Sequence, residues 1–69
     1  MSELLNSLKD ERERLGLTQA GLAERAGVSR KTITTVENGV FVPSTTLALR
    51  LARVLGRPVE AIFRLADDQ

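Results

Sequence analysis

Glycines and short hydroxyl side chains divide this sequence into helix-length segments at regular intervals. Four glycines follow apolar segments, where a residue in the left-handed conformation commonly ends a helix. They are Gly16, Gly27, Gly39 and Gly56. Hydroxyl residues that can accept a hydrogen bond from a first-turn amide precede the helical patterns. They are Ser2, Thr18, Ser29 and Ser44. Pro58 suits the first turn of a further short helix, so five helices are predicted.

Apolar residues recur at helical spacing inside these segments. Helices are predicted over residues 3–15, 19–26, 30–38 and 45–55, with a short fifth helix at 59–63. The first helix is expected to place Leu4, Leu8 and Leu15 on one face. The β-like run 40–42 has only three residues and stops at Pro43, which predicts a loop. The predicted fold class is therefore all-α.

Length and composition exclude several classes of protein. A chain of 69 residues can fill only one core, so we predict one domain over 1–69, with its core at 3–64 and a frayed tail at 66–69. The absence of Cys and His excludes a disulfide framework, a zinc finger and a Cys- or His-dependent active site. Short apolar runs and the lack of a secretory signal predict a cytoplasmic protein with no membrane contact. No cofactor, metal or small-molecule ligand is expected, and the acidic residues form no paired catalytic site, so an enzyme is not predicted.

Residues 19–38 follow the pattern of a helix-turn-helix: a short helix, a tight turn and a second helix. Ala23 supplies the small residue where the two helices cross, and Gly27 tolerates the left-handed turn. Ile33 and Val36 supply apolar anchors on the second helix. A plain helical hairpin is the alternative, because Gly and Ala at a helix junction suit that structure as well.

The outward face of the second of these helices is polar and carries no acid. With Ile33 and Val36 inward and about 3.6 residues per turn, the outward residues are Arg30, Lys31, Thr34, Thr35 and Asn38. Such side chains can bind base edges or phosphates, whereas a merely solvated face usually mixes both signs of charge. Because the net charge is only +1, any indication of binding to double-stranded DNA must come from this local arrangement and not from the overall charge, and the face alone does not decide between the two interpretations.

Two charged residues fall at or beside apolar stripe positions. Arg12 lies between Leu8 and Leu15 on the first helix, and Glu37 lies four residues after Ile33. A charge in such a position is costly unless it is paired. We predict that Arg12 and Glu37 form a partly buried ion pair between the first and third helices. The alternative is that both side chains reach solvent separately.

Residues 8–63 resemble the Cro/cI-type (XRE) helix-turn-helix repressors, as a short stand-alone member of that family. The resemblance depends on Arg12, Leu17-Thr18-Gln19, Leu22-Ala23, Ala26-Gly27-Val28-Ser29, Ile33, Glu37-Asn38-Gly39, Pro43-Ser44, Leu51-Ala52, Leu55-Gly56 and Ile62-Phe63. It implies a compact five-helix, lambda-repressor-like DNA-binding domain whose third helix enters the major groove. It also implies the pairing of Arg12 with Glu37.

The resemblance further implies roles for individual residues. The family's base-contacting positions correspond to Arg30, Lys31, Thr34 and Thr35. Positions that contact or position the DNA backbone correspond to Thr18, Gln19, Ser29 and Asn38, and Gln19 also braces the recognition helix. The sequence departs from the family at 40–42, where Val, Phe and Val replace polar or basic residues, and at Gly21, which replaces a usual Glu or Lys.

One such domain contacts few base pairs, so a homodimer on a palindromic operator is expected. Candidate interface residues are Phe41, Val59, Ile62, Phe63 and Leu65, although the same residues could instead complete the core of one chain. The leading hypothesis is a sequence-specific transcriptional regulator acting as a repressor. The alternatives are an antitoxin-type protein that binds a toxin partner and regulates its own synthesis through DNA binding, and a helical assembly module.

Overall fold

The computed structural model describes residues 3–67, which form five α-helices and two short β-strands. In chain order these elements are β1 (Leu4–Asn6), α1 (Leu8–Arg14), α2 (Gln19–Ala26), α3 (Arg30–Glu37), α4 (Thr45–Leu55), α5 (Val59–Ile62) and β2 (Phe63–Leu65). Helix α2 packs against both α3 and α4, and α1 contacts α3. Among these residues no helix is long and apolar enough to cross a membrane.

The predicted starts of α2, α3 and α4 and the predicted ends of α2 and α4 are confirmed, whereas α3 ends at Glu37, one residue before the predicted end at Asn38. Thr18, Ser29 and Ser44 each accept a hydrogen bond from a first-turn amide of the helix that follows. The four glycines all adopt positive φ angles between 66° and 75°, as their positions after helices predict. Residues 40–42 form the predicted loop. Ser2, the predicted cap of the first helix, lies outside the described residues.

The prediction of an all-α fold is wrong at the N-terminus. Residues 4–6 form β1, and the first helix begins only at Leu8, after Ser7 as its N-cap residue. Helix α1 ends at Arg14, so Leu15 is its C-cap and is exposed, not buried as the helical spacing predicted. The spacing of Leu4 and Leu8 is typical of a helix. In the structure, however, the backbone of β1 forms its hydrogen bonds with a distant strand and not within a helix.

That distant strand is β2, at the other end of the described chain. The two strands are antiparallel, with Leu4 opposite Leu65 and Asn6 opposite Phe63. The Ala66 amide donates to the Glu3 carbonyl at 2.7 Å, which extends the pairing beyond β2. Ala66 is therefore held in place, contrary to the predicted frayed tail; residues 68 and 69 of that tail lie outside the described part of the chain.

Twelve buried apolar side chains from the five helices and β2 form the core. They are Leu8, Leu22, Ala23, Ala26, Ile33, Val36, Leu47, Leu51, Ala52, Leu55, Ile62 and Phe63. Burial of a leucine or isoleucine side chain contributes about 1.5–3 kcal/mol, so this set supplies the main favourable term in folding. The same core fixes the position of α3 relative to α1, α2 and α4.

A surface network joins α1 to the end of α4. Arg14 Nε and Arg57 Nε donate to Glu11 Oε1 at 2.8 and 3.1 Å. Arg14 Nη2 also donates to the Leu55 carbonyl in the last turn of α4. The hydrogen bond from Arg14 is the largest effect on the Glu11 carboxyl and lowers its pKa below the ordinary value; desolvation opposes it, and the hydrogen bond from Arg57 lowers the pKa further.

Candidate nucleic-acid interface

The junction of α2 and α3 has the geometry of a helix-turn-helix. Gly27 caps α2 with φ +75°, and the Val28 amide donates back to the Ala23 carbonyl at 3.0 Å. Ala23 is buried where the helices meet, and Ile33 and Val36 are buried on the inner face of α3. The small residue, the left-handed turn and the two anchors therefore occupy the places that the sequence predicts.

Arg30 and Lys31 occupy the first turn of α3 and are both exposed. Within residues 3–67 neither cation has an ion-pair or hydrogen-bond partner for its side chain, and the first turn of α3 contains no acid. The helix dipole makes this end of α3 positive, so it disfavours a cation there by on the order of 0.5 kcal/mol. Two unpaired cations at a positive helix end are therefore arranged to attract an anion.

A chain of hydrogen bonds from α1 and α2 braces the side of α3 that carries Thr34 and Glu37. Thr34 Oγ1 donates to Gln19 Oε1 at 3.0 Å, and Gln19 Nε2 donates to Glu37 Oε1 at 3.0 Å. Arg12 continues the chain from α1, because its Nε donates to Glu37 Oε2 at 2.6 Å and its Nη1 donates to the Leu17 carbonyl at 2.8 Å. Side chains from α1 and α2 thus hold α3 at Thr34 and Glu37, which lie about one turn apart.

The ion pair of Arg12 and Glu37 at the centre of this chain confirms the sequence prediction. The Arg12 and Glu37 side chains are only 9% and 3% exposed, so they do not reach solvent separately. The hydrogen bond to Glu37 is the largest effect on Arg12 and raises the pKa of its guanidinium above the ordinary value, while desolvation opposes it. Glu37, which belongs to α3, is therefore neutralised inside the domain and adds no negative field to the exposed face.

The Thr34 and Thr35 hydroxyl groups of α3 donate their hydrogen bonds to other groups of this chain. Thr34 Oγ1 donates to Gln19 or to the Arg30 carbonyl, and Thr35 Oγ1 donates to the Thr32 carbonyl at 2.9 Å. A hydroxyl has a single proton but two lone pairs, so both threonines remain able to accept. Their methyl groups also remain as apolar contacts.

The other polar residues predicted at this surface differ in their place in the fold and in their hydrogen bonds. Thr18 and Ser29 are exposed, but their hydroxyl oxygens accept from the Gly21 and Thr32 amides as helix caps. Asn38 follows α3 as its C-cap residue. Gln19 takes part in the brace described above.

Sequence reasoning missed Asn6, which also supports α3. Its Nδ2 donates to the Val36 carbonyl at 3.0 Å, and its Oδ1 accepts from the Leu8 amide at 3.1 Å. One side chain thus joins β1, the start of α1 and the end of α3. The signal was an Asn just before an apolar helical run, which favours a helix cap at residue 6 or 7 over the cap placed at Ser2.

The predicted interface residues divide into buried and exposed groups. Ile62 and Phe63 are packed in the core of this chain, so they offer little surface to a second copy, and their predicted place at an interface is wrong. Spacing alone could not distinguish these two environments. Val59 is partly buried against the same core. Phe41 and Leu65 remain 46% and 54% exposed.

The fold and the α2–α3 geometry define a helix-turn-helix domain. A profile of the helix-turn-helix family HTH_3 matches residues 8–62, and the chain belongs to this XRE-type family. A Methanothermobacter thermautotrophicus protein named "Uncharacterized HTH-type transcriptional regulator" is 52% identical over 62 residues, covering 88% of this chain and 90% of that protein.

Two solved structures have the same fold. A Bacteroides fragilis protein matches with a TM-score of 0.80 at 24% identity, over 88% of this chain and 98% of that one, which is a likeness of fold. Hydroxypropylphosphonic acid epoxidase from S. wedmorenis matches with a TM-score of 0.72 at 36% identity, over 78% of this chain but 29% of the epoxidase chain. This fold therefore also occurs as one part of a larger protein.

Proposed function

We propose that this chain is a DNA-binding transcriptional regulator that reads duplex DNA by placing α3 in the major groove. The observation that carries the proposal is the pair of exposed, unpaired cations, Arg30 and Lys31, in the first turn of a helix that side chains of α1 and α2 hold in place. Membership of the helix-turn-helix family supports it. A fixed helix that presents cations at its N-terminal end can donate to guanine edges while its dipole attracts phosphate.

Arg30 and Lys31 are the donors to bases in this proposal. Thr34 and Thr35 act as acceptors or as methyl contacts to thymine, because their hydroxyl protons are bound within the chain. Thr18, Gln19, Ser29 and Asn38 lie at the starts of α2 and α3 and the end of α3 and would contact or position the DNA backbone. The hydrogen bonds of Gln19 to Thr34 and Glu37 support its role as a brace.

The active species in this proposal is a homodimer that represses transcription by occupying a palindromic operator. A single recognition helix contacts too few base pairs to discriminate among genomic sites, whereas two half-sites about one helical turn apart double the contacts. Phe41 and Leu65 are exposed apolar side chains that a second copy could cover.

Selection of bound duplexes from a randomised pool at near-physiological salt tests the proposal. We expect enrichment of a two-fold palindrome. On the selected site, Arg30→Ala and Lys31→Ala should each cost about 1–3 kcal/mol, as expected for a lost base contact. Arg64→Ala is the matched control, because Arg64 is also exposed but lies on β2, and it should leave the affinity unchanged.

Two results would contradict the proposal. One is a pool without enrichment when the chain is shown to be folded. The other is equal loss of affinity in all three variants, which would indicate attraction by charge alone. Enrichment of a single half-site without a palindrome would support sequence-specific DNA binding but contradict the proposed homodimer.

The exposed apolar loop 40–42 favours one other candidate, an antitoxin-type protein that uses this loop to bind a toxin. A toxin encoded beside this chain's gene and released by Phe41→Ser would support that function. Unchanged regulation after deletion of the neighbouring genes would count against it.

A further inference from the structure

A second basic surface lies on α2 and α4, away from the cations of α3. Two adjoining hollows of about 360 and 270 Å³ share Arg50 and Arg53, and residues of α2, its cap Gly27 and α4 line them. We call this surface the α2–α4 groove and define it by Glu24, Arg25, Leu49, Arg50, Arg53 and Val54. None of its lining residues belongs to α3.

The three arginines of the groove are exposed and unpaired, and they outnumber its single carboxylate, Glu24. Within the described residues, Arg25, Arg50 and Arg53 have no ion-pair or hydrogen-bond partner for their side chains. Elsewhere in residues 3–67, Arg12, Arg14 and Arg57 bind carboxylates, whereas Lys9, Arg30, Lys31 and Arg64 are also unpaired. Three unpaired cations around one hollow therefore create a local positive potential that a balanced net charge conceals.

The ends of α2 and α4 favour the positive charge of two of these arginines. Arg25 lies in the last turn of α2 and Arg53 in the last turn of α4, where the helix dipole is negative and favours cations. Arg50 Nη1 lies over the end of α2, 3.8 Å from the position that a Cβ atom would take on Gly27.

The groove also has an apolar part, which identifies the kind of partner. Leu49 is 56% exposed although it lies in the middle of α4, and it lines one hollow, whereas Val54 is partly buried and lines the other. The Glu24 carboxylate lines the same hollow and would repel a polyphosphate backbone. Nucleic acid has no apolar side chain that could cover Leu49. An amphipathic peptide has apolar groups for Leu49 and acidic groups for the arginines.

We propose that the α2–α4 groove binds an acidic amphipathic segment of a protein partner, with leucine-like side chains on Leu49 and Val54 and carboxylates on Arg25, Arg50 and Arg53. This mode is that of an amphipathic helix laid in a groove. Because α3 takes no part in the groove, the chain can hold the partner and a DNA duplex at the same time. The inference does not depend on the proposed reading of DNA.

The experiment is an NMR titration of the full chain with a synthetic helical peptide that carries leucines on one face and glutamates on the other. A scrambled peptide of the same composition is the control. We expect saturable amide shifts in the last turn of α2 and along α4. Arg50→Glu should weaken binding by at least about tenfold, because it places like charges together. Arg64→Glu, an identical charge change at an exposed site on β2, should leave binding within about twofold.

A second variant tests the apolar contact without disturbing the core. Leu49→Ser alters a half-exposed side chain, so the fold should be retained and the peptide affinity should fall. Dispersed spectra of each free variant establish that it is folded.

Several outcomes overturn the proposal. They are the absence of saturable shifts in the groove, equal binding of the scrambled peptide, and equal losses in Arg50→Glu and Arg64→Glu. Shifts of the groove amides with protein concentration alone would assign the surface to a second copy of this chain. Shifts caused by duplex DNA, with a loss of DNA affinity in Arg50→Glu, would assign it to the DNA backbone.

Discussion

Replacement of Glu37 by Gln is the most direct test of how α3 is held. The substitution keeps the shape of the side chain but leaves Arg12 as a buried cation without its counter-charge. The new side-chain amide would offer one carbonyl and an NH₂ group to a site that now accepts three hydrogen bonds, from Arg12 Nε, Arg12 Nη2 and Gln19 Nε2. Removal of one partner from a buried ion pair costs about 3–5 kcal/mol, and the retained carbonyl places this case near about 3 kcal/mol.

That cost is large for a domain of this size. A chain of 69 residues has a free energy of unfolding of about 3–10 kcal/mol. At about 4–8 °C per kcal/mol, the melting temperature should fall by about 12–24 °C. Urea and thermal unfolding followed by circular dichroism measure both quantities. A variant that is already unfolded in buffer would correspond to the largest expected loss in the free energy of unfolding.

Glu13→Gln is the matched control. It makes the same chemical change in another acid near Arg12, at 4.0 Å from Nη2, but the Glu13 side chain is 55% exposed. Exposed pairs contribute about 0–1 kcal/mol, so this variant should melt close to the original chain. Equal losses of stability in Glu37→Gln and Glu13→Gln would refute the reasoning that burial gives the Arg12–Glu37 pair its weight.

Three further predictions concern the helix ends and the surface network. Hydrogen bonds from Arg14 and Arg57 lower the pKa of Glu11 below 4.5, so its contribution to stability is present above that pH and is lost as the pH falls through the lowered value. The difference in melting temperature between the original chain and Glu11→Gln should therefore shrink in strong acid, and a constant difference would contradict it. Gly27→Ala should cost about 1–2 kcal/mol through its φ of +75°, and D-alanine introduced by chemical synthesis should restore the stability. Ser44→Ala should cost about 1 kcal/mol by removing the α4 cap, measured by urea unfolding, whereas Ser44→Gly should cost only a few tenths.

Local rules predicted most of the helical fold. A hydroxyl cap or a glycine end is determined by its nearest neighbours, so the starts of α2, α3 and α4 could be placed from the sequence. The Arg12–Glu37 pair was also predictable, because a charge at an apolar stripe position requires a partner and each of these residues occupies or borders such a stripe.

The features that sequence reasoning missed depend on distant contacts. Strand β1 has three residues, too few for a strand pattern, and its partner β2 lies almost sixty positions along the chain. Asn6 supports α3 only because that sheet brings it under Val36. The burial of Ile62 and Phe63 likewise depends on which surface α5 covers, which apolar spacing does not specify.

The pairing of β1 with β2 has a mechanical consequence. Because Leu4 lies opposite Leu65, the chain enters and leaves this domain at the same end of the sheet. The domain can therefore be inserted into a loop of a host protein without stretching that loop. Tension applied through the two ends would open the strand pair one hydrogen bond at a time, from Ala66 and Glu3 towards Ser7 and Ile62, before it loaded any helix.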